Sequence, residues 1–119
     1  MLPKNATGKR AAPPEVAPIT YEGVQYSVAY EGVGGPEASC AVLAHNIGTS
    51  ELLWKTVIYR VRYDEKKETD VQDIRPRSIA IEGNDIVVTN ERSEVFHLNR
   101  ATGHKAIAEY ELQGKQNLK

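Results

Sequence analysis

The chain has 119 residues, 40% of them hydrophobic and 26% charged, enough for one domain with its own core and too apolar for wholesale disorder. Fifteen basic and 16 acidic residues leave a formal net charge of −1, so no global field recruits a nucleic acid or an anionic membrane surface. A single cysteine excludes an internal disulfide and no apolar run approaches the roughly 20 residues of a membrane span, which predicts a soluble, cytoplasmic protein.

Residues 1–18 hold Pro3, Pro13, Pro14 and Pro18 with little to bury, and they lack the apolar stretch of a signal peptide. That composition predicts a disordered, Pro-rich N-terminal tail ahead of a single β domain over 19–119. From Ile19 onward, short apolar or alternating runs are punctuated by Gly, Asn and Asp, the chemistry of strands and turns. The strands expected are Val24 to Tyr30, Ser39 to Ala44, Leu52 to Tyr63, Arg77 to Glu82, Asp85 to Asn90, Glu94 to Asn99 and Lys105 to Glu111. Within LLWKTVIYRVRY, strict alternation places Leu53, Val57, Tyr59, Val61 and Tyr63 on one face and Trp54, Thr56, Ile58, Arg60 and Arg62 on the other. The charged run Asp64 to Asp73 reads as a solvated connection with room for one or two helical turns. Gly83-Asn84 is expected to close a two-residue hairpin, since both residues tolerate positive φ. The fold class is therefore all-β: an antiparallel meander that closes as a small barrel or packs as a two-layer sandwich.

The stretches AVLAHNIGTSELLW (Ala41 to Trp54) and EVFHLNRATGHKAIA (Glu94 to Ala108) share a plan of apolar strand, Asn, Gly/Thr turn and second apolar strand. This unit resembles the blade motif of the pyrroloquinoline-quinone-type β-propellers, in which the turn joins the last two strands and a tryptophan packs between neighbouring blades. The first copy keeps Trp54 but has Gly48-Thr49 in place of Thr-Gly, and the second keeps Thr102-Gly103 but has Ala108 near the tryptophan position. A closed propeller takes about four to eight blades and this chain has material for two, so the resemblance implies a meander and no cofactor. Trp54 is expected to be a structural anchor in the core or at an interface.

Catalytic and metal chemistry find little support. His45, His97 and His104 have no ligand spacing, and Cys40 opens an apolar run that suits a buried small hydrophobe. In Glu31 to Ser39 the glycines Gly34 and Gly35 suggest a contact loop, because Pro36 removes a donor that a phosphate cradle would need. Arg60, Arg62, Arg75, Arg77, Arg92 and Arg100 form the basic theme, with Arg60 and Arg62 on one strand face, and Asp64, Glu65, Asp70 and Asp73 are placed to neutralise it. The function expected is a non-enzymatic protein-binding or assembly module acting through Tyr59, Arg60, Arg62 and the glycine loop, with a protein partner or a second copy of the chain. The alternative is a small hydrolase or ligand-binding barrel using His97, His45 or Cys40.

Overall fold

The computed structural model describes residues 15–105, and within them the chain forms two antiparallel sheets. The first runs in sequence order through β1 (Ile19–Tyr21), β2 (Val24–Glu31), β3 (Glu37–Asn46) and β4 (Leu52–Arg62). A crossover containing one helical turn, α1 (Thr69–Gln72), leads to the second sheet of β5 (Pro76–Glu82), β6 (Asp85–Asn90) and β7 (Val95–Asn99). Lys105 makes a single antiparallel bridge to Leu98. The remainder of the expected strand Lys105 to Glu111 lies outside the described residues, as do residues 1–14 of the expected tail. Of the tail that is described, Val16 packs against the core.

Period-two alternation builds the interior. Tyr26 and Val28 on β2 face Ala44 and Val42 on β3, and these side chains join Cys40 and Ile58 in one cluster with Ile79, Ile86, Val88 and Leu98 of the second sheet. The two sheets therefore pack face to face as a sandwich, with β4 and β5 in different sheets and no barrel closure. Burial of Cys40 in this interior is complete.

Turn chemistry sets the register. Glu22 (φ 52) and Gly23 (φ 80) both take the left-handed region that a type I′ hairpin requires, and they add the short strand β1 that its three residues hid from sequence reading. At the other two-residue turn only Gly83 (φ 59) is left-handed, so the β5–β6 hairpin uses glycine alone where sequence reasoning had Gly83 and Asn84 share the role. In the crossover, Val71 is exposed and buries nothing.

One register shift corrects the face assignment of β4. Cys40 lies opposite Tyr59 while the next residue, Ala41, lies opposite Val57, so Ile58 is an extra residue in a β-bulge. Alternation before and after it is out of phase. Trp54, Thr56, Ile58, Tyr59 and Val61 thus belong to the interior side, whereas Lys55, Val57, Arg60 and Arg62 point away from the second sheet.

Candidate functional site

The side of the first sheet that faces away from the second sheet is a four-stranded surface. The pairs Ser27↔Leu43, Ala29↔Ala41 and Ala41↔Val57 put small and branched apolar side chains along its middle. Charges frame that strip: Lys55 Nζ lies 3.1 Å from Glu31 Oε1, Arg60 Nη1 3.3 Å from Glu37 Oε2, and Arg62 Nε 3.7 Å from Glu37 Oε1. Exposed pairs of this kind contribute about 0–1 kcal/mol each, so they organise the rim rather than hold the fold. Glu37 is the partner that sequence reasoning missed. It sits 23 positions before Arg60 in the chain, and only the β3–β4 register brings the two together.

The other expected contact residues are distributed. Tyr59 points inward, its ring 5.1 Å from that of Phe96 and its hydroxyl donating to the Ile74 carbonyl, so it shares no face with Arg60 and Arg62. Arg75 lies over the Tyr30 ring at 5.0 Å, and Arg77 Nη2 reaches Ser93 Oγ at 3.5 Å. In the glycine loop, Gly35 N–H donates to the Gly32 carbonyl at 3.0 Å. Gly34 has open space around its α-carbon; the sterically required glycine is Gly32, where a Cβ would stand 2.5 Å from the Glu37 carbonyl oxygen.

The groups of the catalytic alternative do not converge. His45 is on the outward side of the first sheet, and His97, 3.2 Å from Asp85 Oδ2, is on the outward side of the second. Cys40 is sealed between the sheets. His104 follows the last described turn, and among the described residues no group of three or more His, Cys, Asp or Glu could hold a metal ion.

At one end of the sandwich the crossover is pinned by Asp73, whose side chain is 1% exposed. Its Oδ1 accepts from Tyr63 OH at 2.6 Å and from Tyr30 OH at 2.9 Å, and its Oδ2 stands 3.6 Å from Arg75 Nη2. Tyr30 OH in turn accepts the Ile74 N–H. Burial, with the Asp73 carboxylate adding to it, raises the pKa of Tyr30 and Tyr63 above the ordinary phenol value. Burial likewise raises Tyr59 and pushes the Cys40 thiol up to about 12, a hydrogen bond with Tyr59 pulling Cys40 slightly back.

All four groups are neutral when protonated, and the folded state holds those protons more tightly than the unfolded chain does. Their contribution to stability is therefore complete below the unfolded pKa values, about 8.5 for Cys and 10 for Tyr, and is lost as pH climbs beyond them. Cooperative unfolding is expected in alkali, with tyrosinate absorbance and Trp54 fluorescence changing together. Tyrosines that ionise independently while Trp54 stays unchanged to pH about 12 would contradict this coupling.

The two similar turns share one hydrogen-bond plan. In the first, Asn46 N–H donates to Glu51 O, Ser50 N–H to Asn46 O, Thr49 N–H to Asn46 Oδ1 and Glu51 N–H to Thr49 Oγ1. In the second, Asn99, Gly103, Thr102 and His104 make the corresponding four bonds. Ser50 (φ 65) and Gly103 (φ 79) occupy the same left-handed position. The second turn docks on the first unit: Thr56 Oγ1 donates to Gly103 O at 2.7 Å, and the Trp54 ring covers the Gly103 α-carbon. Trp54 also leans on Tyr26, ring centres 6.1 Å apart, and borders a cleft of about 160 Å³ with Tyr21, Leu53 and Arg100. Arg100 spans the rim of that cleft, 4.5 Å over the Tyr21 ring and 3.3 Å from Glu22 Oε1. Ala108 lies outside the described residues. Searches with this chain find no matching family model and no matching curated protein.

Proposed function

We propose that this chain is a non-enzymatic assembly module, which works by laying a sheet face against another protein. The observation that supports this most directly is the outward side of the first sheet, a strip of Ser27, Ala29, Leu43 and Val57 around the fully covered Ala41, framed by paired charges. An apolar middle inside a polar rim is the anatomy of a protein interface. The docking of the second unit's turn on Trp54 supports the resemblance to propeller blades, whose business is to stack on one another. Arg60 and Arg62 serve as rim charges that set partner orientation, and no bound cofactor is needed.

The test is a photo-crosslinking side chain placed at Leu43, with a second placed at exposed Val71 in the crossover as control. Irradiation in cells is expected to give defined protein adducts from Leu43 and none from Val71. Absence of adducts from Leu43, or equal labelling from both positions, would remove the reading.

A further inference from the structure

The two units are stacked in one direction, and that direction leaves a matching pair of faces open. In the first hairpin Val24 pairs with Asn46, and in the second Asp85 pairs with Asn99. Aligning the units on these asparagines puts the pair Tyr26↔Ala44 on Val87↔His97, and Val28↔Val42 on Thr89↔Val95. Tyr26, Ala44 and Val42 face the core. Val87, His97, Thr89 and Val95 lie on the side of the second sheet turned away from it, since Ile86, Val88, Phe96 and Leu98 supply the interior. The relation also holds in reverse. Gln25↔His45 and Ser27↔Leu43, on the outward side of the first sheet, align with the core-facing pairs Ile86↔Leu98 and Val88↔Phe96.

Within the chain, then, the front of unit one packs on the back of unit two. Among the described residues, the back of unit one and the front of unit two each lack the neighbour that the repeat supplies once. We propose that a second copy of this chain fills both, in a head-to-tail contact that repeats the internal one; this rests on the assembly reading above. The faces differ in charge. The free back carries Leu43 and Val57 with Lys55, Arg60 and Arg62 set against Glu31 and Glu37, one cation in excess, and the free front carries exposed Val95 beside the 7%-exposed Val87, with Glu82, Asp85 and His97. A contact of unlike faces is heterologous: it closes into a ring if the rotation per copy permits and otherwise extends.

Sedimentation velocity of the full chain tests this, with one variant blocking each face. Val57→Glu charges the back, with Leu43→Lys as a second back variant should the first fail to fold, and Val95→Glu charges the front at a position 46% exposed. Circular dichroism establishes that each variant is folded. Wild-type mass is expected to rise with concentration, and each variant alone is expected to stay at monomer mass. Mixed one to one, a back variant and a front variant still share one intact pair of faces, so the mixture should sediment at twice the monomer mass. A wild-type monomer at the highest soluble concentration overturns the inference, as does a front variant that associates like wild type or a mixture that stays monomeric. A monomer whose Leu43 probe still labels a different protein would overturn this inference and leave the assembly reading standing.

Discussion

Gly103→Ala is expected to destabilise the fold by roughly 2–5 kcal/mol. A Cβ at this position would lie 2.5 Å from Trp54 Cδ2, 2.6 Å from Trp54 Cε3 and 2.9 Å from Thr56 Oγ1, distances that real Cβ atoms do not adopt. Overpacking of this kind costs about 1–3 kcal/mol, and a side chain in the left-handed region adds about 1–2. The melting temperature should fall by roughly 10 °C or more. The turn itself does not demand glycine: Ser50, at φ 65 in the corresponding turn, already carries a side chain. Steric conflict with Trp54 is therefore the larger part of the cost. Gly83→Ala is the control, because Gly83 is left-handed (φ +59) yet has nothing within 4 Å of a built Cβ. Urea unfolding that gave equal losses for the two variants would show that the Trp54 contact contributes nothing. Replacing Trp54 by leucine should relieve much of the Gly103→Ala penalty, a coupling that a double-mutant cycle measures directly.

The same contact shows how far sequence reasoning reaches. Local chemistry was readable: an Asn followed by Gly and Thr announced both turns, and alternating apolar residues announced six of the seven described strands. What could not be read was set by pairing across the chain. The bulge at Ile58 exists because β3 and β4 register differently on its two sides, and strict alternation along β4 alone put Tyr59 and Ile58 on opposite faces. Alternation alone already set Tyr59 opposite Arg60 and Arg62; the bulge leaves them on opposite sides but exchanges which side faces the core, so the expected contact surface is divided. Glu37 escaped notice for the same reason, being a neighbour of Arg60 and Arg62 only through the sheet. Asp73 was assigned to a solvated charge run as a neutraliser of the arginines. Its carboxylate does approach Arg75, but from a buried site whose main partners, Tyr30 and Tyr63, lie on the first sheet and at the end of β4.

The bulge also decides which side chains reach the outward side of the first sheet. It turns Arg60 and Arg62 to the outward side, beside Ser39 and Glu37, and turns Tyr59 and Val61 into the interior. A long edge strand with its hydrogen-bonding groups unpaired invites unwanted strand addition, and charged side chains are a common defence. Among the described residues β4 is an edge strand, and Lys55, Arg60 and Arg62 place charge along it as well as around the apolar strip.

Asp73→Ala is the second substitution expected to be severe, at roughly 2–4 kcal/mol. It removes a buried carboxylate that accepts two phenol hydroxyls, and hydrogen bonds to a charged group are worth about 1.5–3 kcal/mol each. The loss stays below the sum of two such bonds because Tyr63 can turn its hydroxyl to solvent and Arg75 is itself 29% exposed, so neither is left stranded in the interior. Tyr30 has less freedom, since its oxygen also accepts the Ile74 N–H and its ring lies under Arg75. Accordingly Tyr30→Phe should cost more than Tyr63→Phe, and Asp73→Asn, which keeps the shape and one acceptor, should cost about 1–2 kcal/mol. In Asp73→Asn the carboxylate that helps raise both phenols is gone, so tyrosinate absorbance should begin at lower pH than in wild type. An Asp73→Ala protein that melts with wild type and shows an unchanged tyrosine titration would mean the carboxylate does not hold the crossover. The two sheets would then be joined by their apolar faces and by the contacts of Thr56 with Gly103 and of Arg100 with Glu22.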